Sequence, residues 1–101
     1  MTTVGELSKA IGGQLSVGQD ATGAADKPLG RASIDTRELS AGEVFWALRG
    51  PQLDGTAFVA AAFARGADGA IVAAEVDVPD DRWVIRVRDT QDALWRAAAW
   101  Y

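Results

Sequence analysis

Ile34-Asp35-Thr36-Arg37, followed by Val44-Phe45-Trp46-Ala47-Leu48-Arg49-Gly50 and then by Leu53-Asp54-Gly55, is the stretch that decides the fold. The order is strand, turn, strand, polar loop, helix start. Ala32 to Asp35 reads as one strand. Ser40-Ala41-Gly42-Glu43 reads as a tight turn in which Gly42 takes a positive φ. Val44 to Leu48 is an unbroken apolar run of strand length, as expected for a strand covered on both faces. Small, hydroxyl, basic and glycine positions crowd the strand ends, where α/β folds place ligand contacts.

Working outward, the same grammar continues. Thr3 to Glu6 is a T-x-x-E capping box, with Val4, Leu7 and Ile11 on one helical face and Gly12-Gly13 as the stop. Gln14 to Val17 reads as a short strand. Gly18 to Gly30 is small, polar and glycine-rich, and reads as a mobile loop. Its glycines match neither a dinucleotide nor a Walker spacing. Asp54 or Thr56 caps a helix whose apolar face is Phe58, Val59, Ala62 and Phe63, with Leu53 stapled onto Phe58 and Gly66 at the end. Ala70 to Ala73 and Trp83 to Val87 are strands. Asp89 or Thr90 caps a last helix with Leu94, Ala97, Ala98 and Tyr101 on one face. The expected fold is α/β, a small mixed or mostly parallel sheet flanked by helices.

Composition narrows the chemistry. The 101 residues suffice for one small domain, and 49% hydrophobic residues suffice for its core. A net charge of −4 argues against nucleic acid held by bulk electrostatics. Cysteine and histidine are both absent, which removes thiolate metal sites and the usual general base. No catalytic residue and no metal ligand set is expected. Asp77, Asp80 and Asp81 around Pro79 lack the spacing of a calcium loop and read as a solvated turn. No apolar run approaches a membrane span, and no export signal opens the chain, so a cytoplasmic setting without a membrane partner is expected.

Two segments carry site chemistry. Thr36 can offer a hydroxyl to a phosphate or sugar oxygen. Arg37 can pair with a phosphate, or it can pair with Asp35 and shape the turn. The Gly50–Gly55 loop, set between a buried strand and a helix, offers backbone donors suited to an anion or a planar polar group, although an ordinary connection has the same pattern. Of the four tryptophans, Trp46 and Trp83 read as core. Trp95 and Trp100 lie on the flanks of the last helix, where at least one should be exposed, toward a further domain or a second copy of the chain in weak self-association.

The ordered motifs I-D-T-R, a glycine turn, V-F-W-A-L-R-G, L-D-G, a helix ending in R-G-A and a short A-I-V-A strand resemble the N-terminal domain of the Mur ligases. The resemblance covers residues 3–101. The opening helix with G-G-Q-L, and V-R-D-T-Q-D-A-L-W-R-A-A-A-W, are most similar to the members that add D-alanyl-D-alanine to the UDP-muramoyl tripeptide. The members that add the third amino acid have a similar domain. Thr56 stands where the family often has His, Glu43 where it has Asp, Trp46 where it has Val or Ile, and Ala41 where it has Pro. A rival reading keeps the fold as an interaction module without ligand binding.

The resemblance implies that residues 1–88 form a domain binding the UDP-N-acetylmuramoyl-peptide, and that 89–101 lead toward an ATP-binding central domain. It implies ATP and Mg²⁺ for the full-length enzyme and no cofactor for these residues. It places Ile34 and Thr36 at the uridine–diphosphate site, with Pro51, Gln52 and Leu53 supplying the rest. Asp54 and Gly55 shape that loop, and Arg37 fixes the turn or approaches the diphosphate.

Overall fold

A computed structural model describes residues 2–49 and 54–100, apart from the side chains of residues 99 and 100. The elements run α1 (Val4–Ala10), β1 (Gln14–Val17), β2 (Ala32–Ser33), β3 (Val44–Trp46), α2 (Val59–Ala64), β4 (Gly69–Val72), β5 (Trp83–Arg86) and α3 (Thr90–Trp100). Short 3₁₀ turns at Ala24–Asp26 and Gly55–Phe58 complete the set. The five strands form one sheet in the order β1-β5-β4-β3-β2. Strands β2 to β5 are parallel, and β1 pairs antiparallel with β5. The expected mixed, mostly parallel α/β sheet is what forms.

Pleat alternation divides the core in two. Val44, Trp46, Ile71, Trp83 and Ile85 point to the side covered by α1 and α3, where they meet Val4, Leu7, Ile11, Ala93 and Ala97. Phe45, Ala70, Val72 and Val84 point to the other side, where they meet Val59 and Ala62 of α2 and Leu39. Strands covered on both faces must be apolar at every position, which is why Val44-Phe45-Trp46 is a continuous run. Trp46 and Trp83 are both core, as their strand positions suggest.

The local signals fold as their chemistry requires. The Thr3 hydroxyl accepts the Glu6 N–H at 3.2 Å, and the Glu6 carboxylate accepts the Thr3 N–H at 2.9 Å, closing the capping box. Gly42 takes φ +86° in the turn before β3. Asp89 caps α3, its carboxylate accepting the N–H groups of Gln91 and Asp92.

Four expectations need correction. The strand predicted over 32–35 stops at Ser33, because the Asp35 carboxylate accepts the Arg37 N–H at 2.9 Å and turns the chain. The side chains of Ile34–Arg37 are therefore set by a turn and not by the alternation of a strand. Residues 18–30 are pinned: Val4 N–H donates to the Lys27 carbonyl, Leu29 N–H to the Thr2 carbonyl, and Ala24 is buried against α1. The inward stripe of α3 is Thr90, Ala93 and Ala97 with Leu94 beside it; Ala98 is exposed, and Tyr101 lies outside the described residues. Phe58 is exposed, since the 3₁₀ run that carries it is out of phase with the core stripe of α2. The proposed Leu53 staple falls outside the described residues.

Candidate functional site

A cleft of about 480 Å³ opens at the carboxyl ends of β2 and β3. The turn Ile34–Arg37 makes one wall. Phe45 and Leu48 of β3 and its extension make the floor, and Gly55 and Phe58 make the opposite wall. The exposed large hydrophobic residues include Ile34, at 60% exposure, and Phe58, at 45%, which face this one opening. Apolar walls with a few polar groups at the rim suit a flat, partly polar ligand.

The polar rim is held in place by local hydrogen bonds. Asp35 accepts from Arg37 Nε at 3.1 Å and from Nη2 at 2.8 Å. This side-chain pairing, with the Arg37 backbone N–H, holds the Asp35 carboxyl down at about 2, and the same carboxylate raises the Arg37 guanidinium. Asp35 is therefore ionised at neutral pH. The Arg37 carbonyl in turn accepts a hydrogen bond from Arg65 Nη2 at 3.1 Å, which fastens the turn to the end of α2. The Asp35–Arg37 ion pair exists, so Arg37 does shape the turn. Its Nη1 remains available among the described residues, and its side chain is exposed. The Thr36 hydroxyl makes no hydrogen bond among the described residues.

On the other wall, Asp54 caps the 3₁₀ run, its Oδ1 accepting the Thr56 N–H at 3.0 Å. Hydrogen bonding by Thr56 holds the Asp54 carboxyl below its usual range, with help from Arg49. Gly55 N–H donates to the Leu48 carbonyl at 2.8 Å, and Ala57 N–H to the Asp54 carbonyl at 3.3 Å. These backbone donors are thus spent within the loop. Of the Gly50–Gly55 loop, the Gly55 N–H is therefore not offered to an anion, and residues 50–53 lie outside the described residues.

Of the residues singled out from sequence, Ile34, Thr36, Arg37 and Gly55 line the cleft, and Asp54 adjoins it as a cap. Pro51, Gln52 and Leu53 lie outside the described residues. Asp35, Phe45, Leu48 and Phe58 line the cleft without having been singled out as site residues. Phe45 and Leu48 sit in the apolar run, where a core role and a ligand floor look alike in sequence. The Asp77, Asp80 and Asp81 turn forms no metal cluster, nor does any other group of His, Cys, Asp or Glu among the described residues.

Known proteins carry the same architecture. No protein-family model matches the chain. The UDP-N-acetylmuramoyl-tripeptide–D-alanyl-D-alanine ligase of Escherichia coli is 33% identical over 98 residues, 97% of this chain and 20% of the relative. The homologues of this chain are Mur ligases. The UDP-N-acetylmuramoyl-L-alanyl-D-glutamate–2,6-diaminopimelate ligase of Clostridium perfringens is 38% identical over 60 residues, 59% of this chain and 12% of the relative. Among solved structures, the UDP-N-acetylmuramoylalanyl-D-glutamyl-2,6-diaminopimelate–D-alanyl-D-alanyl ligase of Acinetobacter baumannii superposes with a TM-score of 0.79 at 29% identity, over 97% of this chain and 21% of that one. The MurF ligase of Thermotoga maritima, solved in complex with ADP, gives a TM-score of 0.59 at 28% identity over 68% of this chain and 16% of that one. The chain thus spans between 12 and 20% of the length of these two curated relatives.

Proposed function

We propose that this chain is the N-terminal domain of a peptidoglycan-precursor ligase, and that its cleft holds the UDP end of a UDP-N-acetylmuramoyl-peptide. The observation that carries the reading is the cleft itself. Its walls at Ile34–Arg37 and Gly55–Phe58 occur in a fold shared, over 97% of the chain, with the UDP-N-acetylmuramoylalanyl-D-glutamyl-2,6-diaminopimelate–D-alanyl-D-alanyl ligase of Acinetobacter baumannii. Ile34 and Phe58 would sandwich a planar base. The Thr36 hydroxyl and Arg37 Nη1 would meet the ribose or diphosphate oxygens.

The whole enzyme, on this reading, is a cytoplasmic ATP- and Mg²⁺-dependent amide ligase that adds D-alanyl-D-alanine. ATP and Mg²⁺ belong to a central domain, and these 101 residues hold substrate without catalysing. Matches along nearly the whole chain favour that acceptor. The higher identity of the diaminopimelate-adding enzyme over a shorter span favours the third-residue ligase as the second reading. The exposed Trp95 of α3 faces the further domains, or a second copy of the chain when they are absent.

NMR shift mapping of the labelled chain with UDP and with UDP-N-acetylmuramoyl-tripeptide tests the assignment. Shifts are expected at Ile34–Arg37 and Gly55–Phe58 at millimolar ligand, since the peptide end lacks its partner domains. Shifts that avoid both walls would leave the fold as an interaction module.

A further inference from the structure

Asp89 caps α3, so the adjacent Thr90 is released from that duty. Its side chain turns inward and is only 1% exposed. The Thr90 hydroxyl accepts the Arg49 N–H at 3.2 Å, and the Thr90 carbonyl accepts the Trp46 indole N–H at 2.8 Å. One residue at the start of α3 therefore grips both the end of β3 and the chain just beyond it. From there Arg49 forms an antiparallel bridge to Asp54, and Gly55 N–H returns to the Leu48 carbonyl. Both ends of the connection over 50–53 are gathered at this point.

We propose that Thr90, which does not line the cleft, is a positioning residue for it. Through Arg49 it fixes the spacing between Leu48 on the floor and Gly55 on the wall. The inference rests on reading the cleft as a ligand site. Without the hydroxyl the Arg49 N–H loses its part-buried acceptor. It then turns to find water and carries the Arg49–Asp54 bridge with it.

The test compares Thr90→Val, which keeps the shape, with Thr90→Ser, which keeps the hydroxyl. Thr90→Val should weaken UDP binding about three- to tenfold, the range of one lost hydrogen bond. It should also speed amide exchange at Arg49 and Gly55 relative to α1, and Thr90→Ser should restore both. A purely structural role would lower the melting temperature and leave the affinity of the folded protein unchanged. Wild-type affinity with protected Arg49 and Gly55 amides in Thr90→Val overturns the proposal, as does a Thr90→Ser variant that fails to restore them. If Thr90→Val does not fold, a fast-exchanging Arg49 amide in the unaltered chain overturns it, and a protected one that stays protected in Thr90→Ser supports it. If the unaltered chain fails to bind UDP, the functional reading falls, while amide exchange still judges the positioning.

Discussion

Replacing Gly55 by alanine probes the cleft wall and the fold together. Gly55 is buried, and a Cβ built on it would lie 2.8 Å from both the Cα and carbonyl carbon of Ala47 and 2.9 Å from the Leu48 nitrogen. All three are backbone atoms at the end of β3, so no side chain can swing aside. The wall must retreat from the floor. Overpacking of this kind costs about 1–3 kcal/mol. Stretching the Gly55–Leu48 hydrogen bond adds about 1 kcal/mol. Together these predict a loss of about 2–4 kcal/mol, or a melting temperature lower by on the order of 10–30 °C in a domain this small. Circular dichroism measures the melting, and NMR titration with UDP reads the cleft. Gly42→Ala is the control. It has φ +86° and nothing among the described residues within 4 Å, so it carries backbone strain alone, about 1–2 kcal/mol, and leaves the ligand footprint in place. A Gly55→Ala protein that melts within about 3 °C of the original, on the same size scaling, with unchanged UDP shifts, would refute the close-approach argument.

Thr36→Ala should weaken UDP binding by about 1 kcal/mol with little change in melting, because its hydroxyl has no hydrogen-bond partner among the described residues; calorimetry checks it, and equal affinities would assign Thr36 to structure. The Asp35 carboxyl is lower in the folded chain than in the unfolded one. Its pairing with Arg37 is therefore fully present above about pH 4 and is lost as pH falls toward 2. An NMR titration of the Arg37 amide should show a midpoint near 2, whereas a midpoint near 4 would mean that the turn is open in solution. Trp95, at 76% exposure, should be readily quenched by iodide, and Trp95→Ala should change stability by less than about 0.5 kcal/mol while reducing any concentration-dependent sedimentation.

The parts legible in the sequence are those where one local rule acts alone. Thr3 and Glu6 form the capping box that their spacing predicts, and the apolar run Val44 to Leu48 supplies the strand covered on both faces, which ends at Trp46. The legible signal failed where two rules competed. Over Ala32–Asp35 the residues read as strand, but the Asp35 side chain supplies the acceptor for the Arg37 N–H and turns the chain after Ser33. In α3 the alanines at 93, 97 and 98 carry almost no phase information, and the buried stripe begins at Thr90, a residue whose polarity hides its burial. A helix of uniform pitch from Asp54 onward would put Phe58 on the same apolar face as Val59, Ala62 and Phe63. The intervening 3₁₀ turn rotates it outward, into the cleft.

The antiparallel edge strand has a consequence for synthesis. Strand β1 lies near the front of the chain, but its partner is β5, with Gln14 opposite Arg86. The helix α1 likewise packs against Ile85, Val87 and the residues of α3. While the ribosome is still making the middle of the chain, the front has its capping box and the hydrogen bonds of Val4 to Lys27 and of Leu29 to Thr2 to rest on, but no sheet. The strands β2, β3 and β4 can assemble in the order in which they emerge, and the first two elements of the sequence are then the last to find their places. A nascent chain stalled before Trp83 should accordingly show amide protection in β3 and β4 and none in β1.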